Sequence, residues 1–341
     1  EIKKPSFTNK VKERVKAFQV SWHDSTKKKV RSRKILGTSG KILRGFLLTG
    51  LCFVILLPLF QKFSFALRDP SDITNPQVVF IPDMWSVENI RISLAYLNYK
   101  VTFLNSIVLS AITTVIQVIS TALAGYSFAR LKFKGSNIFF YIVVFTLVVP
   151  YETLDRARFL LFQNVSFFGI QLINNAFAVY IMSVFGMGIR SAVFIFLFRQ
   201  FFRNIPVELE ESAEIDGAGV IKTFSSVMLP NANGVIVVVS LFSFVWQYND
   251  YYFAHLFQFE EAFPVLSTKL AAGSDSLYGV LVTSFGDLID KLGENIKNDP
   301  LFFGLITNTA ALLMMLPLLI GYFFVQRKFV EGIERTGLTG M

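Results

Sequence analysis

Cysteine, histidine and charge are all scarce in this 341-residue chain. The single cysteine, Cys52, stands in an apolar run, which excludes a disulfide framework and a cysteine-based metal site. His23 and His255 are too few and too far apart for a zinc centre or a histidine-activated nucleophile. No G-x-x-x-x-G-K-S/T sequence occurs, so the chain has no P-loop for nucleotide phosphates. These gaps remove the parts of most simple hydrolytic sites. Charged residues make up 17% of the chain, where a soluble domain carries about 25%. What is present instead is apolar: 53% hydrophobic residues, 38 of them Phe, with a mean hydropathy of +0.52. Surfaces of that composition must face something other than water, so the chain reads as an all-α protein embedded in a membrane.

The net charge of +9 is concentrated at one end. Residues 1–44 carry 14 Lys/Arg against Glu1, Glu13 and Asp24, a local +11 that leaves the rest of the chain at −2. A basic segment beside an apolar run can bind nucleic acid. The reading preferred here is a solvated cytoplasmic extension touching anionic lipid headgroups, with no nucleic-acid partner. It is far longer than the n-region of a signal peptide and no small-residue cleavage site follows, so a cleavable signal is not expected.

Crossing the hydrocarbon core takes about 20 apolar residues in a helix. Six segments qualify: 45–67, 102–128, 137–154, 172–201, 233–256 and 302–325. Loop charges orient them, because Lys and Arg accumulate on the cytoplasmic side. The basic N-terminus, the loop with Arg130, Lys132 and Lys134, the loop with Arg199, Arg203 and Lys222, and the tail with Arg327, Lys328 and Arg335 all read as inside. The segments 69–100 and 257–301 are acid-rich and read as outside, with the Arg156/Arg158 pair the one exception. The expected architecture is six spans with both termini cytoplasmic. Its parts are an extension 1–44, a transmembrane domain 45–330 containing a polar loop 204–230, and a tail 331–341.

The polar loop has its own physical grammar. Asn204 can cap a helix whose first turn holds Pro206 and several acids, and Asp216-Gly217 then interrupts it. Asp216 can cap a second helix in which Ile221, Phe224, Ser225 and Met228 fall at i, i+3, i+4 and i+7, closed by Pro230. Two short helices at an angle are expected on the cytoplasmic side, with one face free for a partner.

These residues carry a family resemblance. Glu211, Ala213, Gly217, Leu229 and Pro230 match the EAA pattern of ABC-importer permeases, and Asp216 and Ala218 extend the match. Ser212 replaces the middle Ala, and Val227 replaces Ile. Over about residues 45–341 the chain resembles the carbohydrate-uptake branch, in particular the second permease of maltose-type sugar importers. Asn105-Ser106, Ala124–Arg130, Pro150, Trp246–Tyr252 and Gln326–Gly332 contribute to the likeness. The resemblance implies a type I ABC importer permease fold and residence in the bacterial cytoplasmic (inner) membrane as a multi-pass protein. It implies that the loop docks on an ATPase through Glu210, Glu211, Ala213, Asp216, Gly217, Ala218, Phe224, Leu229 and Pro230. It also implies a second homologous permease, two copies of an ABC ATPase and an extracytoplasmic solute-binding protein as partners. ATP and Mg would sit on the ATPase; this chain would bind no cofactor or metal and would not itself be an enzyme.

Candidate substrate-path residues are polar groups within spans, which are costly unless they face a cavity or one another. Trp246, Asn249 and Asp250 combine aromatic faces with hydrogen-bonding groups, a chemistry that suits sugars; the alternative is an aromatic belt at the outer interface. Asn174 and Asn175 stand beside Gln171, and the three can instead satisfy one another. Arg190 follows Gly186-Met-Gly188 in an apolar stretch. It either lines the path with Arg156 or Arg158 and favours an acidic glycan, or belongs to internal salt bridges around Asp155. In the maltose-type systems one of the two permeases contacts the sugar, and this chain resembles the other. The competing functions are an importer for a non-sugar solute such as a polyol phosphate and, less favoured, a secondary transporter with Asp250 as its intramembrane acid.

Overall fold

The computed structural model describes residues 12, 14–16, 25–74, 80–167, 169–293, 296–297 and 299–338, with side chains for all of these except 25–37, 73–74, 151, 167 and 333–338. Much of the expected basic extension, 1–11, 13 and 17–24, therefore lies outside the described residues, as do residues 339–341 of the tail. The chain divides into two units, Glu1–Gln61 and Lys62–Met341.

The first unit holds most of α1 (Ser25–Leu67), a helix that runs unbroken past the expected boundary at residue 44. Its Phe46, Leu47, Phe53, Val54 and Ile55 are all exposed. A row of uncovered Phe, Leu, Val and Ile along a 30-residue, predominantly apolar stretch, Thr38–Leu67, is the surface of a lipid-facing span.

The second unit is almost wholly helical: α2 (Glu88–Tyr96), α3 (Tyr99–Arg130), α4 (Ser136–Phe145), α5 (Asp155–Asn164), α6 (Phe177–Val184) and α7 (Ser191–Asn204) come first. Then follow α8 (Glu208–Ile215), α9 (Val220–Asn231), α10 (Asn233–Tyr248), α11 (Tyr252–Leu256), α12 (Leu266–Leu270), α13 (Ser274–Ser284), α14 (Gly286–Leu292) and α15 (Pro300–Leu338). A two-residue hairpin pairs β1 (Ser166–Phe167) with β2 (Ile170–Gln171), Ser166 opposite Gln171.

Among the described residues three helical stretches are long and apolar enough to cross a membrane: Thr38–Leu67, Tyr99–Arg130 and Pro300–Gly332. A fourth exists if α9 and α10, bent by 82° at Ala232, count as one span. The remaining expected spans are interrupted, each for a local reason. In 137–154 the α-helix stops at Phe145, because the residue before Pro150 is steered out of the helical region, and a 3₁₀ turn leads into α5. The segment 172–201 becomes α6 and α7, parted at Phe185–Arg190, where Gly186 (φ 68°) and Arg190 (φ 51°) take left-handed conformations. The segment 233–256 pauses at Asn249–Tyr251 before α11, whose Phe253 N–H donates to Asp250 Oδ1 at 3.3 Å.

Helix α3 runs through the middle of this unit. At its start, Tyr96, Leu97, Tyr248, Phe302 and Ile306 form one buried cluster. Around Leu109, a second gathers Phe162, Val179, Met182, Phe253 and Phe257. At its end a third contains Ala122, Tyr126, Phe194, Phe198 and Phe202. Crossing of α3 with α7 is close enough to demand glycine: a Cβ on Gly125 would stand 2.5 Å from Phe198 Cβ and 2.9 Å from Arg199 N.

Candidate coupling loop and translocation residues

The loop 204–230 is built differently from the expectation at its ends. Asn204 closes α7 rather than capping the next helix, and α8 starts at Glu208 behind Val207 with no side-chain cap. Glu208, Glu210 and Glu211 in its first turn meet the positive end of the helix dipole. Asp216 ends α8 instead of opening α9, whose N-cap is Gly219.

The bend between them is a Schellman motif. Gly217 N–H donates to Glu214 O at 3.0 Å, and Ala218 N–H donates to Ala213 O at 2.9 Å. That pair of bonds requires a left-handed residue at the position of Gly217, whose φ is 77°. The D-G-A portion of the motif is thus a helix stop, with Gly217 supplying a conformation that a Cβ makes costly.

Burial sorts the motif into an anchoring face and a presented face. Ala213, Phe224 and Met228 are buried, and Leu229 packs against the same core cluster. Glu211, Asp216, Gly217 and Pro230 are exposed, Ala218 is half-buried, and Ile215 and Ile221 lie 86% and 82% open. Ile221 therefore departs from the expected shared face with Phe224 and Met228, and Ser225 is exposed as well. A π-helical turn over Phe224–Met228 follows Ile221, so the 3.6-residue period assumed does not run through to Met228.

Glu210 and Glu211 have opposite fates. Glu210 pairs with Arg130 at the end of α3 (Nε–Oε2 3.3 Å), with side chains only 13% and 10% exposed. Arg130 also donates to Ile205 O, and the Tyr126 hydroxyl interacts with the Glu210 carboxylate. Arg130 thereby ties both ends of the α7–α8 connection to the span before it. Sequence reasoning used Arg130 only as a topology marker; an arginine closing a long apolar helix beside an acid-rich loop was the available signal.

From Phe224 an aromatic column enters the membrane domain. Phe224 lies 5.2 Å from Tyr126 and 6.2 Å from Phe202, and Phe202 stacks on Phe198 at 5.8 Å. One helical turn on, Phe194 stacks on Trp246 at 5.4 Å, and Phe242 covers the indole from another side at 5.2 Å. Trp246 is half-buried between Phe194 and Phe242. Above it sits Arg190, exposed, with its guanidinium carbon 5.0 Å from the indole centroid.

Arg190 marks the break between α6 and α7, and polar groups of α3 satisfy the backbone freed there. Gln117 Nε2 donates to Ile189 O at 2.7 Å and Ser191 Oγ at 2.8 Å, while its Oε1 accepts from Ser243 Oγ at 2.6 Å. Ser120 Oγ donates to Ser183 O at 2.7 Å. Gln117, a lone amide in the middle of the second span, was passed over in the sequence.

The other path candidates are turn-formers. Asn174 (φ 62°) donates its N–H to Phe257 O at 2.8 Å, and Asn175 Oδ1 accepts from Phe177 N at 3.0 Å. Neither bond is to the other asparagine or to Gln171, which lies in β2. Asn249 Nδ2 donates back to Val245 O at 2.8 Å, and Asp250 accepts from Phe253 N–H through Oδ1 while its carbonyl accepts from Ser267 Oγ at 2.6 Å. The Arg158 guanidinium lies 5.8 Å from the centroid of the Phe253 ring. Arg190 is not brought to them.

The helical domain presents an acid-headed helix pair at one end. Comparison with known proteins shows that the chain belongs to the family of binding-protein-dependent transport system inner membrane components, matched over residues 41–335. The alpha-glucoside transport system permease protein AglG of Rhizobium meliloti (strain 1021) is 28% identical over 260 residues, which is 76% of this chain and 62% of that protein's length. The sn-glycerol-3-phosphate transport system permease protein UgpE of Yersinia pestis bv. Antiqua (strain Antiqua) is 26% identical over 290 residues, 82% of this chain and 91% of that one. Among solved structures, a bacterial ABC transporter involved in the import of the acidic polysaccharide alginate superposes with a TM-score of 0.63 at 21% identity. The superposition covers 88% of this chain and 98% of the other, and shows a shared fold.

Proposed function

We propose that this chain is a permease subunit of an ATP-driven ABC importer for a carbohydrate, most simply an oligosaccharide. It would lie in the bacterial cytoplasmic membrane with six spans and both termini inside. In this reading it forms the translocation path with a second, homologous permease, receives solute from an extracytoplasmic binding protein, and leaves ATP hydrolysis to two separate ATPase subunits.

The observation that carries it is the division of labour in loop 204–230. Ala213, Phe224 and Met228 hold the loop to the membrane domain, while Glu211, Ile215 and Ile221 are presented outward at the far side of a glycine-dependent bend. A docking element must do both, since force received on one face has to reach the spans through the other. The aromatic column from Phe224 to Trp246 is the contact route available for it.

The names of the relatives support the substrate class, and two of them also favour an anionic solute: glycerol 3-phosphate and alginate. The exposed guanidinium of Arg190, held over Trp246, supports that second reading, in which the substrate is an acidic sugar or a polyol phosphate.

Purification through a tag on this chain, together with its co-expressed partners, tests the assembly. Stoichiometric ATPase subunits and ATP-dependent uptake into proteoliposomes are expected. Uptake by this chain alone, driven by an ion gradient, would show the assignment to be wrong.

A further inference from the structure

Beside the root of the coupling loop, where α3 ends, α4 begins and α7 passes, lies a cavity of about 730 Å³. Its walls include Lys132, Lys134, Arg199, Arg203, Asn137 and Tyr141, and no carboxylate. Arg130 also borders it, but that charge is spent on Glu210. Among the described residues none of the other four cations forms an ion pair.

Arg199 is the telling member. It is 8% exposed and sits in a predicted span, so its charge is costly without compensation. Neutral groups provide part of that: Nε donates to Phe128 O at 3.2 Å, Nη2 donates to Asn137 Oδ1 at 3.4 Å, and the guanidinium lies 3.8 Å from the Phe140 centroid. The uncapped start of α4 faces the same space through Ser136 and Asn137, adding the positive end of a ten-residue helix. Continuous with this basic hollow, Ile138, Tyr141 and Phe145 leave an apolar stripe open along α4.

We propose that this pocket binds the phosphate headgroup of an anionic phospholipid, with the acyl chains lying along the α4 stripe. A guanidinium and ammonium cluster matches a phosphodiester, and the adjoining stripe is what a free phosphate would not use. Assignment to the cytoplasmic leaflet rests on the orientation proposed above; the binding does not.

The test is native mass spectrometry of the assembled transporter, offered phosphatidylglycerol or phosphatidylcholine of matched chains. Wild type should retain phosphatidylglycerol in preference. The variant Lys132→Gln/Lys134→Gln/Arg203→Gln, which changes exposed residues only, should lose retention on the order of 100-fold, from roughly fivefold per cation. Its thermal unfolding temperature should match wild type. Equal retention of the two lipids, or undiminished phosphatidylglycerol in the variant, would overturn the proposal. So would displacement of the lipid by millimolar inorganic phosphate, which would make the pocket a site for the free anion. Lipid counting needs no transport, so a failure of the importer assignment would leave this result legible.

Discussion

Replacing Gly217 with alanine isolates a single physical demand of the coupling loop. At φ 77° an L-residue pays a left-handed penalty of about 1–2 kcal/mol. Among the described residues, nothing beyond its two chain neighbours lies within 4 Å of where the new Cβ would stand, so crowding adds nothing. The variant either keeps the bend under that strain or relaxes it by giving up the Gly217–Glu214 and Ala218–Ala213 bonds, each contributing about 1 kcal/mol. Either route lowers the population of the bent loop by roughly 5–30-fold relative to its alternatives. Binding-protein-stimulated ATPase activity of the reconstituted transporter should fall at least fivefold in Gly217→Ala, with unchanged amounts of chain in the membrane. Gly217→Asn should recover most of it, because asparagine tolerates the left-handed region. The reasoning fails if alanine matches wild type. It also fails if asparagine is as damaging as alanine, since the cause would then be bulk against a partner surface.

Three further outcomes follow from the same geometry. Glu210→Gln should lower the unfolding temperature of the solubilised complex, since it strands the nearly buried Arg130 at a cost of about 3 kcal/mol, whereas Glu211→Gln should leave it unchanged and affect ATPase coupling alone. Gly125→Ala should destabilise the α3–α7 crossing by about 1–3 kcal/mol, read as a lower unfolding temperature, because the added methyl meets backbone at Arg199 N. Arg190→Ala should reduce uptake of an anionic oligosaccharide at least fivefold while sparing a neutral one of equal length; unchanged anionic uptake removes Arg190 from the path.

Much of the coupling loop was legible because its signals are local. Gly217 announces a bend, the acids of Glu208–Glu211 announce a helix start, and Pro230 announces an ending two residues before the 82° turn. The exact caps were not legible: Asn204 and Asp216 can each close one helix or open the next, and both close one, the second through the Schellman bonds at Gly217. Likewise Ile221 fits the apolar period of Phe224 and Met228 on paper, yet it is 82% exposed, and a π turn breaks the period between Phe224 and Met228.

The path candidates show the opposite balance. Asn174, Asn175, Asn249 and Asp250 drew attention as polar residues near apolar spans, yet each makes a backbone bond that shapes a turn. Gln117 went unremarked although it holds the break beside Arg190, because its three partners come from the distant segments 189–191 and 243.

Composition and charge asymmetry by themselves determined that this chain lives in lipid, and the Glu211–Pro230 spacing determined its family, since both are properties of residue type and short-range order. Where the spans break, which glutamate anchors and which is presented, and that Arg199, held by neutral groups, opens onto a basic hollow were decided by tertiary structure alone. Those features depend on which distant side chain arrives to satisfy a freed backbone group or a buried charge, and pairing of that kind leaves no periodic trace in a linear sequence.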